Sequence, residues 1–369
     1  MTRPSRWRFP GSPTSATGAT RSWRCANSWR RWTRSRCACS ETPDKDLSMR
    51  LVLLSLCLLP SLLQAASFDC SHAEHPVELA ICGNAALSEL DERLAATFQR
   101  ARGFSAEGDD SLLHEQRDWL RQTRQACAAH DATERCTEQR YGGRLDDLAS
   151  LPYPLTTAPT AEPLRLDRAS PRYDFLLTLD EPCSEQTCEG SGSLTVLHKA
   201  TGKPLQIIGL PGVFLSRSDS GEPLVNSAQL YEYQGVINVG DFNFDGAEDF
   251  AVQNGNRGSY GGPSYDVFVY DQHQQAFRYA RAMSELIAST LGFFSVDTSA
   301  QRLETFAKSG CCWHRTSRYR VEGNVPREVW RMTEDATIEA GEGGMQVDIE
   351  EWREGAWQVL SSKQVPAPE

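Results

Sequence analysis

The densest chemistry in the sequence lies in Val239–Phe250, which reads VGDFNFDGAEDF. Counted from Asp241, oxygen-bearing side chains fall at positions 1, 3, 5 and 9, with glycine at position 6. A turning backbone with that spacing can wrap a hard cation in oxygen ligands. Asp241, Asn243, Asp245 and Asp249 are the expected side-chain ligands, the Ala247 carbonyl fills the seventh position, and calcium is the expected ion. Three carboxylates converging in one turn would repel one another without a cation. The plainer reading is an acidic hairpin turn centred on Asp245-Gly246. Position 12 is Val252 instead of the bidentate Glu of an EF-hand, and both flanks read as strands.

Just downstream runs NGNRGSYGGPSYDV, residues 254–267. Four glycines and a proline beside two serines and two tyrosines describe a shaped loop with hydroxyl and aromatic contacts, suited to entering a cleft. Ser259, Tyr260, Gly261, Gly262, Pro263, Ser264 and Tyr265 are the expected partner contacts. A long surface hairpin is the alternative. Catalytic signatures are thin: there is no GxSxG elbow, no HExxH, no P-loop and no dinucleotide-binding glycine pattern, and the seven histidines are scattered. The reading is a binding protein, not an enzyme, and no catalytic residue is assigned.

These loops need elements to hold them and a compartment to act in. Met49–Ala66 has the layout of a signal peptide: an arginine, an apolar run from Leu51 to Leu63, then small residues. The run is shorter than the roughly 18 to 20 residues that span a bilayer, so no stable membrane insertion is expected after cleavage. Residues 1–48, rich in Arg, Ser and Trp and without helical or strand periodicity, read as a non-native or upstream extension without structure. The chain carries a net charge of −11, and removing residues 1–66 takes away eleven Lys/Arg and three Asp/Glu, which leaves −19. So acidic a chain disfavours nucleic acid and steers cationic proteins toward it. Eight cysteines then remain: Cys70, Cys82, Cys127, Cys136, Cys183, Cys188, Cys311 and Cys312. An even count in an exported chain argues for disulfides, in the periplasm or outside the cell.

From 67 to 150 the apolar spacing is helical: Leu87, Leu90, Leu94 and Phe98 form one stripe, a second helix over Asp110–Cys127 has Leu112, Leu113, Trp119 and Leu120 on its core face, and a third over Ala132–Leu148 presents Tyr141, Leu145 and Leu148. Pro76 suits the first turn of a short opening helix. A bundle this small has a marginal core, and cysteines at its two ends are natural staples. Of the three pairings, one joining the Cys70/Cys82 end to the Cys127/Cys136 end is expected. A proline-rich linker follows over 151–164. From 165 to 369 the period shifts to alternation, with short strands at 173–179, 193–197, 204–208, 236–239, 250–253, 265–270, 318–321 and 357–360, and one helical interruption over 286–291. Cys183 and Cys188 close a small loop, which leaves the adjacent Cys311 and Cys312 for each other or for other partners. The fold class is multi-domain α plus β: a small disulfide-linked helical bundle, then an all-β, partial-propeller-like domain.

Two resemblances sharpen this. Phe68-Asp69-Cys70, Ala73, Pro76-Val77-Glu78, Ile81-Cys82, Leu87, Leu90-Asp91, Leu94, Trp119-Leu120, Cys127, Cys136, Tyr141 and Arg144-Leu145 resemble the LprI-type lysozyme-inhibitor domain. That implies an exported, helical, disulfide-linked module associated with inhibition of lysozyme. The acidic turn resembles the calcium loops of FG-GAP and other propeller-type repeats. Together with the 254–267 loop and Ser309-Gly310-Cys311-Cys312-Trp313-His314, it resembles periplasmic immunity proteins that neutralise peptidoglycan hydrolases delivered by type IV secretion systems. The resemblance implies bound calcium at the four ligands above, inhibitory contact through Ser259–Tyr265, and a lysozyme-like, basic hydrolase as partner. The rival expectation is a calcium-stabilised cell-wall-binding or adhesion module.

Overall fold

The computed structural model describes residues 66–128, 132–183, 186–227, 235–337 and 344–366. The expectations for residues 1–48, and for all but the last residue of the signal segment, lie outside the described residues. All of the described residues belong to one compact unit, 62–369.

Four helices come first. Helix α1 (Pro76–Gly83) starts on its proline. His75 accepts the Val77 N–H through its side chain, while Glu78 reaches back to the His75 N–H at 3.2 Å, a reciprocal cap. In α2 (Ala85–Phe104) the Asn84 side chain caps the amides of Ala86 and Leu87, and Leu87, Leu94 and Phe98 are buried as the spacing predicts. Helix α3 (Ser111–Ala128) is entered through Asp109, whose carboxylate accepts from Ser111 N. Tyr141 and Leu148 of α4 (Thr133–Ala149) complete the bundle core, with Trp119 packed on Tyr141 at 5.1 Å between ring centroids. Leu120, expected in the core of α3, is instead exposed.

The cross-end disulfides expected of this bundle are not what forms. Cys70 pairs with Cys82, and Cys127 with Cys136. Each pair is set by a local reversal: the turn at 70–72 folds back on α1, and α3 turns into α4, which brings the two Cα atoms to 5.7 and 5.6 Å. Each staple therefore tightens one hairpin and leaves the packing of hairpin on hairpin to the apolar core.

The rest of the chain forms three antiparallel sheets that do not close into a barrel. The first holds β1 (Tyr153–Leu155), β2 (Leu164–Arg165), β3 (Tyr173–Leu179), β4 (Thr187–His198) and β5 (Pro204–Ser216) in the order β1-β5-β4-β3-β2. The second is a meander of β6 (Ile237–Gly240), β7 (Asp249–Gly255), β8 (Ser264–Asp271) and β9 (Ala276–Tyr279). The third runs in sequence through β10 (Ser295–Asp297), β11 (Arg302–Ser309), β12 (Trp313–Glu322), β13 (Val325–Asp335), β14 (Gly344–Arg353) and β15 (Ala356–Pro366). One helix interrupts the strands, α5 (Arg281–Ser289), which starts earlier than the 286–291 reading. The stretch expected as a linker is tied into the first sheet near both ends: Tyr153 pairs with Gly209 and Leu164 with Leu177.

The second sheet lies between two cores. Phe250, Val252 and Phe268 pack toward the first sheet with Phe175 and Phe277, while Ala251, Val267 and Val269 pack toward α5 with Met283 and Ile287. Alternate residues of a strand point to opposite faces, so burial on both faces demands the near-continuous apolar runs of β7 and β8. Phe104, the last residue of α2, belongs to the β core, 6.2 Å from Phe268 between ring centroids. Beside it Ala106 N donates to the Tyr279 carbonyl at 2.8 Å, and Asn324 Nδ2 donates to the Glu107 carbonyl at 2.8 Å. Farther along, buried Arg144 of α4 donates to Gln116 and Glu115 of α3, and Glu115 also pairs with Arg281 of α5. Because a helical residue fills the β core, Phe104→Ala should cost about 3–5 kcal/mol. Urea unfolding followed by helical and by tryptophan signals should show one shared loss of midpoint; a shift in the helical signal alone would contradict this coupling.

Candidate functional site

The candidate loops leave opposite ends of β7. At its start lies the acidic turn. Phe244 (φ 63°) and Gly246 (φ 85°) take left-handed backbone conformations that reverse the chain. Asp241 accepts the amides of Asp245 and Gly246 at 3.1 and 3.0 Å, Asn243 Oδ1 accepts the Asp245 amide at 3.1 Å, and Asp245 accepts the Ala247 amide at 2.7 Å. Asp249 is fully buried, and its two oxygens accept from Phe242 N and Tyr270 N, each at 2.9 Å. Burial pushes its carboxyl up to about 8; the two amides oppose the shift, and the charges of Asp245 and Asp241 add to it.

The predicted ligands thus share one turn. Their donor set is all oxygen, the chemistry a hard divalent cation takes, and a buried acid beside two others is a charge conflict that a cation relieves. Each carboxylate is at the same time turned onto an amide of the protein, and no three acidic, histidine or cysteine side chains form a metal-holding group among the described residues.

At the other end of β7 comes the loop 256–263. Its centre, Ser259–Gly261, is one 3-10 turn with Tyr260 at φ 60° and 62% exposed. The Tyr260 hydroxyl accepts the Gly310 amide at 2.6 Å, Lys308 Nζ stands 4.9 Å from the ring centroid, and Ser259 Oγ donates to the Ser289 carbonyl at 3.1 Å. Gly310 begins the β11–β12 turn that carries the Cys311–Cys312 disulfide, with Cα atoms 3.7 Å apart. The two motifs that the sequence places about fifty residues apart therefore form one patch. Cys183 and Cys188 pair across their own short loop, as expected.

Ser264 and Tyr265 do not belong to that exposed surface. Both are buried in β8, where Ser264 Oγ donates to Asn254 Oδ1 at 2.5 Å and Tyr265 Oη donates to the Gly235 carbonyl at 2.9 Å. The alternation that makes Tyr265 the first residue of a strand also turns its ring inward, onto Phe293 at 5.0 Å. What the loop offers a partner is Tyr260 and Gly261, flanked by half-buried Ser259, Gly262 and Pro263.

Beneath the loop is a polar network that pattern reading does not assign. Asn254 Nδ2 donates to Asp266 Oδ1 at 2.9 Å, the Arg257 amide donates to Ser264 Oγ at 3.3 Å, and the Arg257 guanidinium donates back to the Asn254 carbonyl at 2.9 Å. A Cβ at Gly212 of β5 would lie 2.7 Å from that guanidinium, so the glycine makes room for the clamp. The available signal was the acid itself: Asp266 interrupts an apolar strand run, and a buried carboxylate needs partners.

The comparisons bear on the helices. Residues 69–148 match the family of lysozyme inhibitor LprI. The LprI match takes in α1 to α3 and all but the last residue of α4, with both bundle disulfides and Arg144. A solved Xanthomonas structure, described as that of a type IV secretion system related protein, is similar over 57% of this chain and 99% of its own, at 22% identity and a TM-score of 0.44. No curated protein matches the chain. Beside the LprI helices no other described helix is long and apolar enough to cross a membrane, nor is any of the four themselves.

Asp266 yields a signed test. Burial pushes its folded-state carboxyl from 3.8 up to about 7, against the pull of Asn254 and Arg257. The folded chain therefore binds the extra proton between those values, and this group's contribution to stability falls as pH rises through that window. Asp266→Asn imitates the protonated form, so its Tm relative to the parent should be higher at pH 8 than at pH 5; a difference independent of pH would contradict the assignment.

Proposed function

We propose that this protein inhibits a lysozyme-like peptidoglycan hydrolase outside the cytoplasm, and that it does so by binding, without a reaction of its own. The observation that carries the reading is the LprI match over 69–148, supported by disulfides throughout the described chain, which suit an oxidising compartment. Acidity fits a basic target, since a chain at −11 attracts cationic partners before contact.

In this reading the exposed tyrosine loop supplies the contact. A lysozyme-type hydrolase uses a carboxyl kept protonated in a cleft as general acid. The Tyr260 side chain, held up by Gly310 and projecting from a glycine-rich turn, is the group to enter such a cleft and exclude the glycan. The network under the loop lowers the entropy lost on binding, because the turn is already ordered. Calcium, held by Asp241, Asn243, Asp245, Asp249 and the Ala247 carbonyl, would neutralise the acids at the start of β7 and stiffen the sheet from which the loop departs.

Two experiments test these parts separately. Turbidity loss of a peptidoglycan suspension by a panel of lysozyme-type enzymes should be blocked stoichiometrically for at least one of them by residues 67–369. Tyr260→Ala should weaken that inhibition about thirtyfold, the ~2 kcal/mol of an interface anchor, at unchanged Tm; unchanged potency moves the contact to the LprI helices. Independently, calcium should raise Tm over a chelator control and Asp245→Ala should abolish the shift, whereas equal melting with and without calcium rejects the metal.

A further inference from the structure

We propose that the open face of the third sheet is a second binding site, for an acidic saccharide. Its outer strands form a single layer: no residue of β13, β14 or β15 is buried among the described residues. On them lies a cleft of about 900 Å³ reached by Trp330, Trp352 and Trp357. Tryptophan is a costly residue to leave in water, and three around one cleft on a sheet that stabilises nothing above it call for an occupant.

The arrangement is specific. Glu304, Arg318, Trp330 and Glu351 are successive cross-strand partners, so a row of charged hydrogen-bonding groups runs across four strands with an indole in its middle. The Arg318 guanidinium lies 4.3 Å from the Trp330 ring centroid and is paired with Glu304 at 2.8 Å, which locks that part of the row. Trp352 sits opposite Trp357, 5.6 Å between centroids at 70°, and is 45% exposed. A flat, wet indole beside fixed carboxylates and guanidiniums suits a pyranose, whose C–H face packs on the ring while its hydroxyls meet the charged groups.

Charge selects the kind of sugar. Arg320 and Arg327 face each other directly across β12 and β13, and both line the cleft. Like charges at that register repel. The Arg320 contact to Glu322 is a loose 3.8 Å, and Arg327 has no carboxylate partner among the described residues. In a chain of net charge −11 these two guanidiniums stand unneutralised beside the tryptophans, and a carboxylate carried on the saccharide completes them.

The test contains no hydrolase, so its failure leaves the inhibitor reading standing. Residues 67–369 are titrated by tryptophan fluorescence with the disaccharide N-acetylglucosaminyl-N-acetylmuramic acid, and with the neutral N,N′-diacetylchitobiose as control. The acidic sugar should bind at least about tenfold tighter than the neutral one. Trp352→Ala should lose saturable binding, and Arg327→Ala or Arg320→Ala should erase the preference, with Arg327→Lys restoring part of it. Both groups are on the surface, so Tm should hold and the comparison stays readable. Equal affinity for the two sugars, or no saturation by either up to about 10 mM, overturns the proposal.

Discussion

Burial of the second sheet on both faces is the constraint on which the rest of the structure depends. A sheet with apolar contacts above and below admits few polar groups, and each one admitted has to be satisfied from within. Asp249 and Asp266 are such groups, one near each end of the β7–β8 pair, and each is spent on closing a loop. The buried acid that accepts Phe242 N and Tyr270 N shapes the acidic turn; the one that accepts Asn254 shapes the base of the tyrosine loop. Both candidate sites are consequences of how a doubly covered sheet disposes of its carboxylates.

Those sites lie at opposite ends of a strand of seven residues, about 20 Å at the rise of an extended chain. A cation at the acidic turn would act on the tyrosine loop through the stiffness of β7 and its pairing with β8, and not by contact. The hydroxyl of Tyr260 is anchored from elsewhere, by the β11–β12 turn, so the contact surface draws on two sheets at once. Ser264 and Tyr265 show why the loop's edge was misjudged. Their residue types suit a binding surface, but their strand phase commits them to the interior, and phase decides.

Much of the helical part was legible because its signals are local. Proline at a first turn, asparagine and aspartate at helix starts and a stripe at three-to-four spacing all act within a few residues. The disulfide pairing was not, since it depends on which hairpins form and not on where along the bundle the cysteines fall. Among the strands, β7 and β8 announce themselves by apolar runs, whereas β13 and β14 went unread. Arg331, Met332, Thr333 and Glu334 show no alternation because neither face of that layer is covered, and without a buried face a strand has no hydrophobic period. Asp266 and Arg257 were unread for a different reason: their meaning lies in partners across the sheet.

Phe104 has a bearing on how such a protein arises and how it can be dissected. The LprI-matched stretch looks, along the chain, like a detachable module with its own disulfides. In space its second helix ends as a plug in its neighbour's interior, and Ala106, Glu107 and Gly108 continue the seam. A gene fusion that first placed the two side by side has since become a graft: cutting at the family boundary would leave an aromatic-sized hole in the β part and a naked phenylalanine on the helical part. Limited proteolysis has no clean seam to find there, and a homologue lacking the helices must fill the socket with some other large apolar side chain.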